Sequence, residues 1–257
     1  MEPNRKILIF ENSHALTNYL LKEWTRIVEL SVKDHGKCTV ALSGGKTPIE
    51  FYSRLSHFAE FDQWHRVHLF QVDERFVPSD DKESNFRTIK ENLLDYVPIP
   101  PANVHPVRTR HENVLVATEE YKHGLLYFFN VKPHEMPRFD LIILGCGEDG
   151  HVGSLHPHLD GLEDPNRLCV PVTDDYFKEE RVSLSLAVIN NARHIMVMVQ
   201  GERKAAILKR ILEDKEDLPA AKVNAREGEL AFLIDRFAAS QLSKPSRFTD
   251  QGEAVSI

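Results

Sequence analysis

The chain has 257 residues, 42% hydrophobic and 28% charged, with a formal net charge of -7 at pH 7, which suits one globular domain able to bury a full core. Acids and bases are intermixed along it, so it offers no basic face to a nucleic acid backbone, and an anionic small ligand would need local positive groups. Its three cysteines lack the spacing of a disulfide framework or zinc knuckle, the start MEPNRKILIF lacks the apolar stretch of a signal peptide, and no run nears the roughly 20 residues of a membrane span. A reduced, cytoplasmic protein with no membrane partner is the expectation.

Lys6 to Phe10 reads as a first short strand. Ser13 is the expected N-cap of a long helix whose buried stripe is Leu16, Leu20, Trp24, Ile27 and Ser31, with Gly36 closing it. Cys38 to Leu42 is a buried strand that runs straight into Ser43, Gly44, Gly45, Lys46 and Thr47. Thr47 with Glu50 three residues on has the form of a capping box, and Pro48 suits a first helical position. A strand, a glycine turn and a helix N-terminus together present free N–H groups and a positive dipole end, which suits an anion such as phosphate. Gly45-Lys46-Thr47 also matches the tail of a P-loop, but Val40 stands where that motif needs its first glycine.

Val67 to Val72 is a third strand, ending in Asp73, Glu74 and Arg75 at the mouth of the same crevice if the sheet is parallel. Arg75 suits a bidentate contact with phosphate, and Asp73 suits sugar hydroxyls or the ordering of a cation. Asn85 to Leu94, and the stretch marked by Ala117, Tyr121, Leu125 and Phe128, read as amphipathic helices. Leu168 to Val172, Arg181 to Leu186, His194 to Val199 and Leu230 to Ile234 read as strands. A helix starts at Gly201 and runs to about Leu212; Lys204 in its first turn opposes the dipole, a placement that hints at an anion nearby. The alternation predicts one α/β domain over residues 1–240, built on a parallel sheet, and a flexible tail over 241–257.

The centre of the chain is Phe139 to Pro157, FDLIILGCGEDGHVGSLHP. The apolar run is a buried strand, and Gly145, Gly147, Gly150 and Gly153 let the following loop turn sharply and bring its backbone close to a ligand. Asp149 and His151, two apart, can then both face the crevice. Gly145-x-Gly147-x-x-Gly150 matches the dinucleotide fingerprint, but Pro157 and the segment HPHLDGLEDP break the helix that fingerprint needs. Asp149, His151, His156 and His158 are types that suit a divalent ion, yet no matching pair sits on a helix face. Nothing marks Cys146 apart from a small buried hydrophobe.

Four motifs in this order, LSGGKTP (Leu42 to Pro48), VDERFVP (Val72 to Pro78) followed by SNFR (Ser84 to Arg87), LGCGEDGHVGSLHP (Leu144 to Pro157) and GERKAAIL (Gly201 to Leu208), resemble those of the 6-phosphogluconolactonase family, within the glucosamine/galactosamine-6-phosphate isomerase superfamily. The resemblance covers residues 5–240. It implies a single α/β domain with a Rossmann-like, mostly parallel sheet flanked by helices on both faces. It implies hydrolysis of 6-phospho-D-glucono-1,5-lactone to 6-phosphogluconate, in the oxidative pentose phosphate pathway, with no cofactor and no essential metal. His151 is then the base with Asp149 beside it, the phosphate is held by the Ser43 to Thr47 loop, Arg75 and Lys204, and Arg181 stands close to the site. The expected partner is a small sugar phosphate, and a monomer is favoured.

That chemistry suits the residues. A δ-lactone is an activated ester, so it needs a positioned water, a base of near-neutral pKa and donors for the oxyanion. The chain departs from the family pattern at Val152, Gly153 and His156, which bears on the shape of the pocket. The related glucosamine-6-phosphate deaminases carry a glutamate where this chain has His156, and tyrosine or tryptophan where it has Arg75. A catalytically silent sugar-phosphate sensor is a third reading, but a binder needs no base.

Overall fold

A chain that alternates short buried apolar runs with amphipathic helices satisfies its backbone by pairing the runs in parallel and covering both faces of the sheet. The computed structural model describes residues 5–132, 135–243 and 253–254. Its strands are β1 (Arg5–Phe10), β2 (Cys38–Leu42), β3 (Val67–Gln71), β4 (Asp73–Arg75), β5 (Val104–His105), β6 (Leu141–Gly145), β7 (Cys169–Val172), β8 (Arg181–Leu184), β9 (His194–Val199), β10 (Glu229–Asp235) and β11 (Glu253–Ala254). Its helices are α1 (Ser13–His35), α2 (Ile49–Leu55), α3 (Asn85–Asn92), α4 (Val114–Phe129), α5 (Leu186–Ile189), α6 (Ala205–Leu212) and α7 (Pro219–Lys222).

The main sheet has the order β11-β1-β10-β9-β6-β2-β3-β5, and every pairing is parallel except β1 with β11. β4, β8 and β7 form a second, antiparallel sheet. It is joined to the first where the Leu184 amide donates to the Val72 carbonyl at 2.7 Å. Alternation along β2 and β6 explains why both faces are covered. Val40, Leu42, Leu141 and Ile143 enter one core with Leu16 and Trp24 of α1 and Phe51 of α2. Ala41, Ile142 and Leu144 enter the other with Tyr121 and Leu125 of α4 and Ile207 and Leu208 of α6. On the α1 side Trp24, Phe51, Phe61 and Trp64 cluster, the two indoles 6.0 Å apart.

The expected stripe of α1 is buried, and Gly36 closes the helix at φ 82°. The N-cap, however, is Asn12, whose side chain accepts from the Ala15 amide at 2.9 Å, and Ser13 is the first helical residue. The capping box expected from Thr47 and Glu50 does not form. Gly45 at φ 79° and a bond from the Ile49 amide to the Lys46 carbonyl make the turn tighter, so Pro48 takes the N-cap place and Thr47 falls one residue short of it. Leu186 belongs to α5, not to the preceding strand, because Ser185 caps that helix at the Val188 amide. Ahead of α6, Glu202–Lys204 form a tight 3-10 turn, so Lys204 is its N-cap residue.

From β2 the sheet grows through β3 to β5; from β6 it grows the other way through β9 and β10. The order therefore reverses between β2 and β6, and the crevice beyond their carboxyl ends is where such sheets take ligands. The expected tail lies mostly outside the described residues. Within it Leu242 is buried, Ser243 bonds Glu213, and β11 pairs with the outer edge of β1. Among the described residues no helix is long and apolar enough to cross a membrane.

Candidate active site

Segments beyond the carboxyl ends of the main strands meet around one cavity of about 220 Å³. The Ser43 to Thr47 turn follows β2, Asp73 and Arg75 stand on β4 just past β3, the Gly147 to His151 loop follows β6, and Lys204 follows β9. Arg181 comes in from β8, opposite Arg75 in the antiparallel register. Of the residues picked out from the sequence, Ser43, Gly44, Gly45, Lys46, Thr47, Asp73, Arg75, Gly147, His151, Arg181 and Lys204 line the cavity.

His151 Nδ1 lies 2.6 Å from Asp149 Oδ1, and the His151 amide donates to the same oxygen at 3.2 Å. The carboxylate thereby fixes the Nδ1–H tautomer and leaves Nε2, which has no hydrogen-bond partner among the described residues, as the basic nitrogen. Burial works against the charge on Asp149, but the bonds from the His151 ring, from the Tyr176 hydroxyl and from the His151 amide outweigh it. Its carboxyl lies well below the usual carboxylate range. The loop is closed by the Gly147 amide donating to the His151 carbonyl at 2.8 Å.

Gly150 is placed differently from the sequence reading. At φ 89° its Cα faces Leu218 and Ile207, and its carbonyl accepts from the Ala220 amide, so it shapes the loop from behind and does not line the cavity. Asp149 likewise reaches the cavity through His151. Cys146 does line it, but burial pushes its thiol up to about 12, which leaves no thiolate for nucleophilic work. His156 turns away into a buried contact with Asp174, and among the described residues no group of three or more metal-binding side chains assembles.

Asp73-Glu74-Arg75 is a strand and not a loop, and its pleat sorts the three side chains. Glu74 points under α3, where it accepts from the Asn85 and Phe86 amides at 2.7 Å each. Asp73 and Arg75 face the cavity. Asp73 is buried and accepts from Ser154 Oγ at 2.7 Å; Arg75 donates to the Glu83 carbonyl and to Asn85 Oδ1. Arg181 is buried over the Phe177 ring, 3.8 Å from its centroid, and its Nε has no partner among the described residues. A buried guanidinium with a free donor beside a polar cavity is suited to an anionic or oxygen-rich ligand.

Three participants were missed. Asn85 sits so close to Gly44 that a Cβ there would stand 2.1 Å from Asn85 Oδ1. The SNFR motif held that residue without assigning it a part. Tyr176 on Asp149 and Phe177 under Arg181 lie between strands in a stretch without periodicity, and nothing local marks them.

A family model described as glucosamine-6-phosphate isomerases/6-phosphogluconolactonase matches residues 11–232. A 6-phosphogluconolactonase of Synechocystis sp. is 35% identical over 245 residues, covering 94% of this chain and 99% of that protein. Among solved structures, the 6-phosphogluconolactonase of Thermotoga maritima aligns at TM-score 0.76 and 31% identity over 90% of this chain and 100% of that one. That of Trypanosoma brucei aligns at TM-score 0.83 and 26% identity over 94% and 100%.

Proposed function

The chain belongs to the glucosamine-6-phosphate isomerase/6-phosphogluconolactonase family and is an enzyme of its lactonase branch, and from that premise we propose that it hydrolyses 6-phospho-D-glucono-1,5-lactone with His151 as general base. The observation that carries the reading is the His151–Asp149 pair, 2.6 Å apart, beside a cavity that also takes in the Ser43 to Thr47 turn and Lys204.

His151 Nε2 takes a proton from water as the oxygen adds to the lactone carbonyl, and Asp149 stabilises the imidazolium. Loop N–H groups and the Arg181 guanidinium are the donors available to the oxyanion. Collapse of the tetrahedral adduct breaks the bond from C1 to the ring oxygen, which takes its proton back from His151, and the new acid ionises to 6-phosphogluconate. The phosphate rests in the Ser43 to Thr47 turn with Lys204 and Arg75 as its cations, so a group remote from the ester holds the carbonyl in the attack geometry. Asp73 is placed for sugar hydroxyls.

The test is to form the lactone in place with glucose-6-phosphate dehydrogenase and follow its decay with and without the protein, with glucosamine 6-phosphate as a parallel substrate. Faster lactone decay and no ammonia release are expected. Deamination of the amino sugar would overturn the reading, since His156 is packed against Asp174 where the deaminases carry their glutamate.

A further inference from the structure

The hairpin loop between β7 and β8, residues 173–180, reaches the Asp149–His151 pair from outside the cavity. The Tyr176 hydroxyl donates to Asp149 Oδ2 at 2.5 Å, so both carboxylate oxygens are engaged, Oδ1 by His151 and Oδ2 by Tyr176. Below it the Tyr176 ring lies flat on His156, centroids 4.1 Å apart and planes 6° from parallel. His156 is itself pinned: it is buried, with Nε2 2.8 Å from Asp174 Oδ2 and Nδ1 2.7 Å from the Pro157 carbonyl. Asp174 Oδ1 in turn accepts from the Tyr176 amide at 3.2 Å. The contacts close a circuit in which Asp174 holds His156, His156 supports the Tyr176 ring, and the Tyr176 hydroxyl holds Asp149. The next residue, Phe177, stands edge-on to His151 at 5.4 Å.

We propose that Tyr176 is a positioning residue for the lactonase reaction, locking Asp149 in the orientation that keeps the proton on His151 Nδ1 and Nε2 free, and that His156 and Asp174 serve to hold Tyr176 there. The inference rests on His151 being the base. A carboxylate bonded through one oxygen swings about its Cβ–Cγ bond, and one bonded through both is fixed, which is how outer partners orient a reacting group. The hydroxyl also draws charge from Asp149 and so tempers its pull on the imidazole proton. The His156 ring supplies flat support to Tyr176 and is itself held by two polar anchors.

Tyr176→Phe tests this, because it keeps the stack and removes only the hydroxyl, on a side chain 43% exposed whose change leaves the core untouched. The other titratable and charged groups around the pair include Glu148 and Lys204 in the cavity wall, Arg181 on Phe177, and His156 with Asp174, and all stay in place. The expected result is a kcat lower by about tenfold, the scale of one charge-assisted hydrogen bond, with KM for the phosphorylated lactone unchanged. The acidic limb of kcat/KM should move to higher pH, because Asp149 then holds the His151 proton more strongly. His151→Ala is measured beside it. An inactive His151→Ala with a Tyr176→Phe enzyme of unchanged kcat and limb would overturn the inference alone, as would a Tyr176→Phe effect confined to KM. An active His151→Ala would remove the base and the inference together.

Discussion

Gly147 stands so close to His151 that a Cβ on it would lie 2.1 Å from His151 Nδ1 and 2.3 Å from Asp149 Oδ1. The space a side chain would need is the space the pair occupies, so glycine at this position is required by the placing of the pair more than by the turn. Gly147→Ala should leave the fold intact and displace the imidazole, lowering kcat by about 10²-fold, within the range of general-base catalysis. Circular dichroism alongside lactone turnover checks it; an active alanine variant would mean the pair is not needed.

Removal of the proposed base is the sharper version. His151→Ala should lose about 10²–10⁴ in kcat while still binding 6-phosphogluconate, which calorimetry would show. Loss of binding together with turnover would mean that the ring holds substrate and not a proton.

Lys204 lies far along the chain from the dyad yet lines the same cavity. As a phosphate contact it should matter only when the phosphate is there. Lys204→Ala is expected to raise KM for the phosphorylated lactone far more than for unphosphorylated gluconolactone. Equal effects on the two substrates would remove Lys204 from the phosphate site.

Asp149 gives a prediction in pH. Its folded carboxyl lies below its unfolded value of about 3.9, so its hydrogen bonds add stability that is complete above that value and fades as pH falls through the folded one. Asp149→Asn lacks that titration. Urea melts should show the wild type more stable at neutral pH and the gap closing in strong acid; a gap that widens on acidification would reverse the assignment.

How the sequence spoke depends on how local each signal was. Strands that run into a glycine-rich turn, as after Leu42 and Leu144, announce themselves because apolar run and turn are adjacent, and they placed the Ser43 turn and His151 at one crevice. β4 was unreadable because three charged residues become a strand only through pairing with β8, a partner more than a hundred residues away. Gly36 closes α1 as expected, while the two N-caps fall a single position away, since Asn12 and Ser13 both suit an N-cap and Pro48 takes the place expected of Thr47. Gly150 was given to the ligand on the strength of its loop, and its positive φ instead turns it toward Leu218. Tyr176 has no pattern to give it away, because its part depends wholly on contacts between two loops.

The placing of both tryptophans in the aromatic cluster under α1 has a practical consequence for anyone following this protein as it refolds. Tryptophan emission, excited selectively over tyrosine, will report the moment that one layer becomes dry, and will be blind to the opposite layer and to the hairpin that carries Tyr176. Recovery of turnover, which requires loops drawn from residues 43 to 204 to converge, is then an independent clock. A delay of the second signal behind the first would measure how late the two halves of the molecule come to agree.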